Sequence, residues 1–126
     1  MRIMLCAVSA CLVLAWSDSV SADSTADAVA KANQGAYEHA IRCFLANGYA
    51  SDGRRKAGDA ARATAYDTKA RQSFDLAYAA GNRIGLNDTK IGRDLDYYQS
   101  IELPRFIRDE KYLLSVASTC KALGLM

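Results

Sequence analysis

His39 is the chain's single histidine, and it stands four positions before Cys43. On a helix that spacing puts an imidazole and a thiol on one face, as in a pair of metal ligands. A zinc site needs further Cys or His partners, and none remain once Cys43 is paired in the way argued below, so no metal is expected. His39 as a general base would need a nucleophile beside it, and no such pairing is written in the sequence. A C-x-x-C-H haem attachment is absent. The acidic pairs Asp94/Asp96 and Asp109/Glu110 do not converge, because helical residues one or two apart point away from each other. Asn87-Asp88-Thr89 lacks the alternating acidic ligands of a calcium loop. It is formally a glycosylation sequon, which matters only in a eukaryotic source. The residues therefore point to no cofactor and no catalytic group, and the chain reads as a non-enzyme.

Elements that could position a site start with the N-terminus. Arg2 is followed by an apolar run from Ile3 to Trp16, then polar residues, then Val20-Ser21-Ala22. This is the three-part pattern of a secretory signal, with cleavage expected between Ala22 and Asp23. The apolar run is short of the roughly 20 residues of a membrane span. The alternative is lipidation at Cys11, since Val8-Ser9-Ala10-Cys11 resembles a lipobox, but the apolar run continues past that cysteine. Residues 1–22 are thus read as a leader and 23–126 as one exported domain, periplasmic and without a membrane anchor after cleavage.

The chain carries 16 Lys and Arg against 14 Asp and Glu. The leader removes one of each, Arg2 and Asp18. So balanced a charge gives no strong field for nucleic acid or an anionic membrane. Arg54-Arg55-Lys56 is read as a solvated turn rather than a phosphate site. Of four cysteines, Cys6 and Cys11 leave with the leader. Cys43 and Cys120 remain, and an even pair in an exported chain implies one disulfide. On loop-closure entropy such a bond is worth about 4 kcal/mol. Two free buried thiols are the alternative.

One proline, many alanines and no alternating strand pattern predict an all-α fold. The first helix is expected from Ser24 or Thr25 to Asn47-Gly48, followed by a polar loop to Gly53. The second is expected from about Arg54 to Ala80, and the third after a loop Gly81–Asn87, capped by Asn87 or Asp88. Pro104 is expected to break the third from the last, Arg105 to Leu123, with Gly124 as a left-handed cap and Leu125 packed back. The result is a small bundle of about four helical segments.

Cys43 and Cys120 both lie late in their helices. An up-down-up-down bundle would put those ends far apart, whereas a disulfide needs Cα atoms within about 7 Å. The last segment is therefore expected to cross obliquely, or to continue the third as a kinked arm, rather than to fold back as a hairpin.

Two places are candidates for contact with a partner. Tyr49, read as lying in a loop, is a possible interface anchor. The segment Arg83, Ile84, Leu86 and Asn87 sets one charged and two aliphatic side chains between glycines, an arrangement suited to an interaction loop. The alternative is a linker whose Ile84 and Leu86 tuck into the core.

The stretch Tyr37-Glu38-His39-Ala40-Ile41-Arg42-Cys43-Phe44-Leu45-Ala46-Asn47-Gly48-Tyr49 resembles the opening helix of the type VI secretion amidase immunity proteins of the fourth Tai family, with a tyrosine, a cysteine about six residues on, and a second tyrosine. Lys56-Ala57-Gly58-Asp59-Ala60-Ala61 is similar to the segment that follows there. Val116-Ala117-Ser118-Thr119-Cys120-Lys121-Ala122-Leu123 carries the partner cysteine. The resemblance implies a periplasmic homodimer that neutralises a cell-wall amidase, with Cys43 and Cys120 as the structural disulfide. Two other classes stay open: a periplasmic helical adaptor or chaperone, and a small-ligand carrier or enzyme.

Overall fold

A computed structural model of the chain describes the backbone from Val20 and the side chains from Ser24. Residues 1–19 of the expected leader lie outside the described residues. Among the described residues the chain forms four helices and no strand: α1 (Val20–Lys56), α2 (Ala60–Arg83), α3 (Asp88–Arg108) and α4 (Glu110–Ala122). The all-α expectation holds, and several boundaries move.

Three helices end in the same way. Gly58, Gly85 and Gly124 sit at φ +79°, +88° and +72°. In each case the next residue's N–H reaches back five positions: Asp59 to the Arg54 carbonyl at 2.9 Å, Leu86 to Gly81 at 3.0 Å, and Leu125 to Cys120 at 2.8 Å. This is the Schellman closure, which satisfies carbonyls left over at a helix end and requires a residue that tolerates positive φ. The Gly124 cap and the returning Leu125 agree with the sequence reading. Asp59, Asn87 and Asp109 start the following helices, each accepting a backbone N–H from three residues on, as N-cap side chains do.

Five expected boundaries are corrected. α2 does not end at Ala80 but runs to Arg83, so Gly81, Asn82 and Arg83 of the expected loop are helical. Ser24 and Thr25 lie inside α1 rather than at its start. Asn47-Gly48 does not stop that helix, and the expected loop to Gly53 is helical as far as Lys56. Tyr49 is consequently a helical residue. Its ring packs at 5.9 Å from that of Phe106. The basic run Arg54-Arg55-Lys56 closes α1 instead of opening α2, where positive charge complements the helix dipole. The helix also continues through Pro104, which lies inside α3, and the break falls at Asp109. A proline removes one intrahelical hydrogen bond, here to the Ser100 carbonyl, without forcing a stop.

α1 and α2 form an antiparallel pair. Ser51 hydrogen-bonds the Ala63 carbonyl at one end, Phe44 meets Phe74 in the middle at 5.4 Å, and Tyr37 approaches Gly81 at the other end. The inward face of α2 is Ala63, Ala70, Ser73, Ala77, Ala80 and Gly81. Small side chains let two long helices pack closely over many turns. Gly81 is the tightest point. A Cβ there would lie 2.7 Å from Ile91 Cδ1 and 3.0 Å from Tyr37 Cε2.

α3 runs parallel to α1: Tyr37 bonds Asp94, Arg42 bonds Glu102, and Tyr49 packs on Phe106. Ile91, Leu95, Glu102 and Phe106 are its buried positions, whereas Ile101 is exposed. α4 then crosses α1. Cys120 is bonded to Cys43 with 5.6 Å between Cα atoms and 77 positions between them in sequence. On one side of the crossing Ser115 and Thr119 share a cleft with His39, and on the other Leu113, Ala117 and Lys121 face Ala46 to Ala57. This crossing is the departure from a regular bundle that the disulfide demanded.

Glycine substitutions separate these effects. Gly81→Ala is expected to cost about 1–3 kcal/mol through overpacking against Ile91. Gly48→Ala meets nothing within 4 Å and is expected to stabilise by about 0.5–1 kcal/mol by removing a flexible residue from the helix. Urea unfolding with equal m-values checks both. A Gly81→Ala protein as stable as the parent would show that the close approach is not real.

Candidate functional site

Among the described residues Glu102 is the buried charged group. It is 3% exposed, on the inward face of α3, where an apolar residue would ordinarily stand. Burying a carboxylate is costly unless it is paired and hydrogen-bonded. Both of its oxygens are used. Arg42 Nε of α1 donates to Oε1 at 3.1 Å, and the Tyr112 hydroxyl of α4 donates to Oε2 at 2.7 Å. One carboxylate thus joins three helices.

Around it the aromatic and cationic side chains are layered. The Arg105 guanidinium lies 3.4 Å over the Tyr112 ring, and that ring stacks on Phe106 at 5.9 Å. Arg42 sits 5.5 Å over Tyr98, with Nη1 3.8 Å from Glu38. A parallel contact stands one level up, where the Tyr37 hydroxyl donates to Asp94 at 2.8 Å and Lys90 also reaches Asp94. Burial disfavours ionisation of Asp94, but the bonds from Lys90 and Tyr37 outweigh it and hold its pKa below the usual carboxylate value.

A cleft of about 290 Å³ opens beside this cluster. His39, Arg42, Arg105, Tyr112, Ser115 and Thr119 supply its polar lining, and the disulfide forms part of its wall. The sequence reading gave no role to Arg42, Glu102 or Arg105. The readable signal was Glu102 at a core position of α3's period, between Leu95 and Phe106.

The positions expected to meet a partner are not gathered in one place. Arg83 is exposed, as is Asn87, which caps α3 by accepting the Lys90 N–H. Ile84 and Leu86 are half-buried against the core, so the turn is partly tucked in. Arg83 and Ile84 line an open groove of about 690 Å³ together with Thr25, Val29 and Gln34 of α1. Tyr49 packs toward the other end of α1, on Phe106, and belongs to a different surface. Cys43 and Cys120 form the expected bond. Among the described residues no group of three or more His, Cys, Asp or Glu is placed to hold a metal, and no helix is long and apolar enough to cross a membrane.

Comparison with protein families, curated proteins and solved structures finds no match.

The tyrosines give the cluster an alkaline signature. Burial, followed by the hydrogen bond to Asp94, raises the pKa of Tyr37 well above its ordinary 10.0. Burial and the bond to Glu102 raise Tyr112, and burial with the nearby Glu38 raises Tyr98. The unfolded chain loses these protons first, so folding stability is fully present below about pH 10 and is lost as pH rises through the raised values. Tyr112→Phe is expected to cost about 1–3 kcal/mol at neutral pH, because Glu102 loses a donor, yet to decline less steeply above pH 10. Denaturant melts from pH 7 to 12 test this. An unchanged alkaline slope would mean that Tyr112 is not held neutral by Glu102.

Proposed function

We propose that the chain is an exported periplasmic binding protein, not an enzyme, which inhibits a cell-wall amidase as immunity proteins of the fourth Tai family do. The observation that carries this reading is the Cys43–Cys120 bond. These are the two positions that the resemblance transfers residue by residue, and they pair the opening helix with the last one. The leader over residues 1–22 supports delivery to an oxidising compartment, where such a bond persists.

The turn after α2 supports a binding role in physical terms. Ile84, Gly85 and Leu86 donate their backbone N–H groups to Ala80, Asn82 and Gly81, and Asn87 is fixed as a cap. A turn ordered before contact loses little conformational entropy on binding. It holds Arg83 outward beside Val29, which is 54% exposed. A charged fork next to an apolar patch is a suitable anchor for a protein partner.

The test is direct. The oxidised exported form is immobilised and offered a panel of cell-wall amidases, with capture and residual activity both recorded. The expected result is nanomolar capture and inhibition of one amidase. Arg83→Ala is expected to weaken it about tenfold, a loss of about 1.4 kcal/mol. An oxidised protein that captures none of the panel overturns the assignment for those enzymes, and capture unaffected by Arg83→Ala moves the contact to another surface.

A further inference from the structure

We propose that the cleft beside the disulfide is a binding site for a single carboxylate group. Three of its lining side chains are basic, Arg42, Arg105 and His39. Ser115 adds a hydroxyl, the Thr119 hydroxyl is spent on the Ser115 carbonyl at 3.2 Å, and no acidic side chain lines the cleft. The nearby carboxylates stand outside the lining. Glu102 takes Arg42 Nε from beneath, and Glu38 approaches Arg42 Nη1 at 3.8 Å.

Arg105 is the principal anchor. Among the described residues no carboxylate lies within ion-pair distance of it. Its guanidinium is instead held 3.4 Å above the Tyr112 ring, a separation that admits a stacked plane. One face is thereby covered, and the N–H edges remain for an acceptor in the guanidinium plane. A carboxylate is the planar two-point acceptor that matches such a fork. Tyr112 is itself locked, since its hydroxyl is bonded to the buried Glu102. The platform under Arg105 is therefore set before any ligand arrives. Arg42 is oriented by the same carboxylate.

Size narrows the ligand. A cleft of about 290 Å³ lies at the lower bound for small-molecule sites. It accommodates a group about the size of one amino-acid residue. Two sources share this chemistry: an acidic side chain and a peptide's terminal carboxylate.

Titration of the oxidised protein, followed by NMR at the Arg105 Nε–H and the Ser115 and Thr119 amides, tests the site without any amidase. The probes are N-acetylglutamate α-amide for the side-chain carboxylate, N-acetylglycine for the chain terminus, N-acetylglutamine α-amide as the uncharged control, and inorganic phosphate. Saturable shifts with at least one carboxylate probe, absent with the control, are expected. The tighter of the two names the source. Arg105→Gln is expected to weaken binding about tenfold, while Arg105→Lys retains part of it. Unchanged thermal unfolding of the two variants establishes that the loss is local. Equal binding of the uncharged control, tighter binding of phosphate, or an affinity indifferent to Arg105→Gln would each overturn the assignment. These titrations can fail while an amidase is still captured, and can succeed when none is.

Discussion

The Cys43–Cys120 disulfide fixes α4 against α1 at a depth where neither residue meets solvent, and the placement of the last helix depends on it. α4 has 13 residues and buries only Val116 and Cys120. A helix of that length is marginal by itself in water, and two buried positions give it little hydrophobic hold. The covalent tie closes a long loop and removes much of the unfolded chain's freedom. It also sets the angle of approach. Because Cys43 lies in the middle of a helix that runs on to Lys56, the bond draws α4 across α1 rather than alongside it.

That crossing explains the buried acid. Where α4 passes over α1 and the end of α3, three backbones meet, and a carboxylate on α3 can reach a guanidinium on α1 and a phenol on α4 together. Glu102 with Arg42 and Tyr112 is directional where apolar packing is not. A buried polar group of this kind is weak evidence for stability, because an apolar replacement of similar shape is often as stable. Its effect here is to fix which turn of α4 faces which turn of α3. The same directional restraint recurs between α1 and α3 at Tyr37 and Asp94, so the parallel register of those helices is pinned at two levels. The α1–α2 pair has directional bonds at one end only, from Ser51 to the Ala63 carbonyl and to Asp67 and between Arg55 and Asp67 at 2.7 Å. Its alanines and Gly81 interlock by shape over most of their length.

What could be read from the sequence were the features carried by local chemistry. The helical class, the cap at Asn87, the Gly124 closure with Leu125 returning, and the disulfide all follow from residue types and their immediate neighbours. The misread places are those where a tertiary contact overrides a local signal. Asn47-Gly48 has the form of a helix stop, but the Asn47 side chain is buried and donates to the Cys43 and Leu125 carbonyls at 2.8 and 2.6 Å. It is spent on joining the C-terminal turn to α1. The true stop at Gly58 is marked by the same glycine chemistry as the other two helix ends. Pro104 was weighed as a breaker, yet its neighbours Leu103 and Phe106 pack against the core, and that burial holds the helix through the missing hydrogen bond. Of the candidate site, Arg83 was legible as an exposed charge between glycines. The Glu102 cluster was not, because its members are spread from position 42 to 112 and only the crossing of α4 assembles them.

The two surfaces impose different physical requirements. The turn at Arg83 is ordered by its own backbone hydrogen bonds and by half-buried Ile84 and Leu86, so its geometry survives independently of α4. The cleft at Arg105 is built from α1, α3 and α4 together and has the disulfide in its wall. Its guanidinium rests on Tyr112, Tyr112 is held by Glu102, and α4, which carries Tyr112, is held by Cys120. Each step upward depends on the one beneath. Reduction of a single bond would therefore loosen the cleft before it disturbed the α1–α2 pair or the turn at its end, because the helix with the least buried surface is the first to detach. The oxidised state is thus built into the geometry of one surface and largely irrelevant to the other.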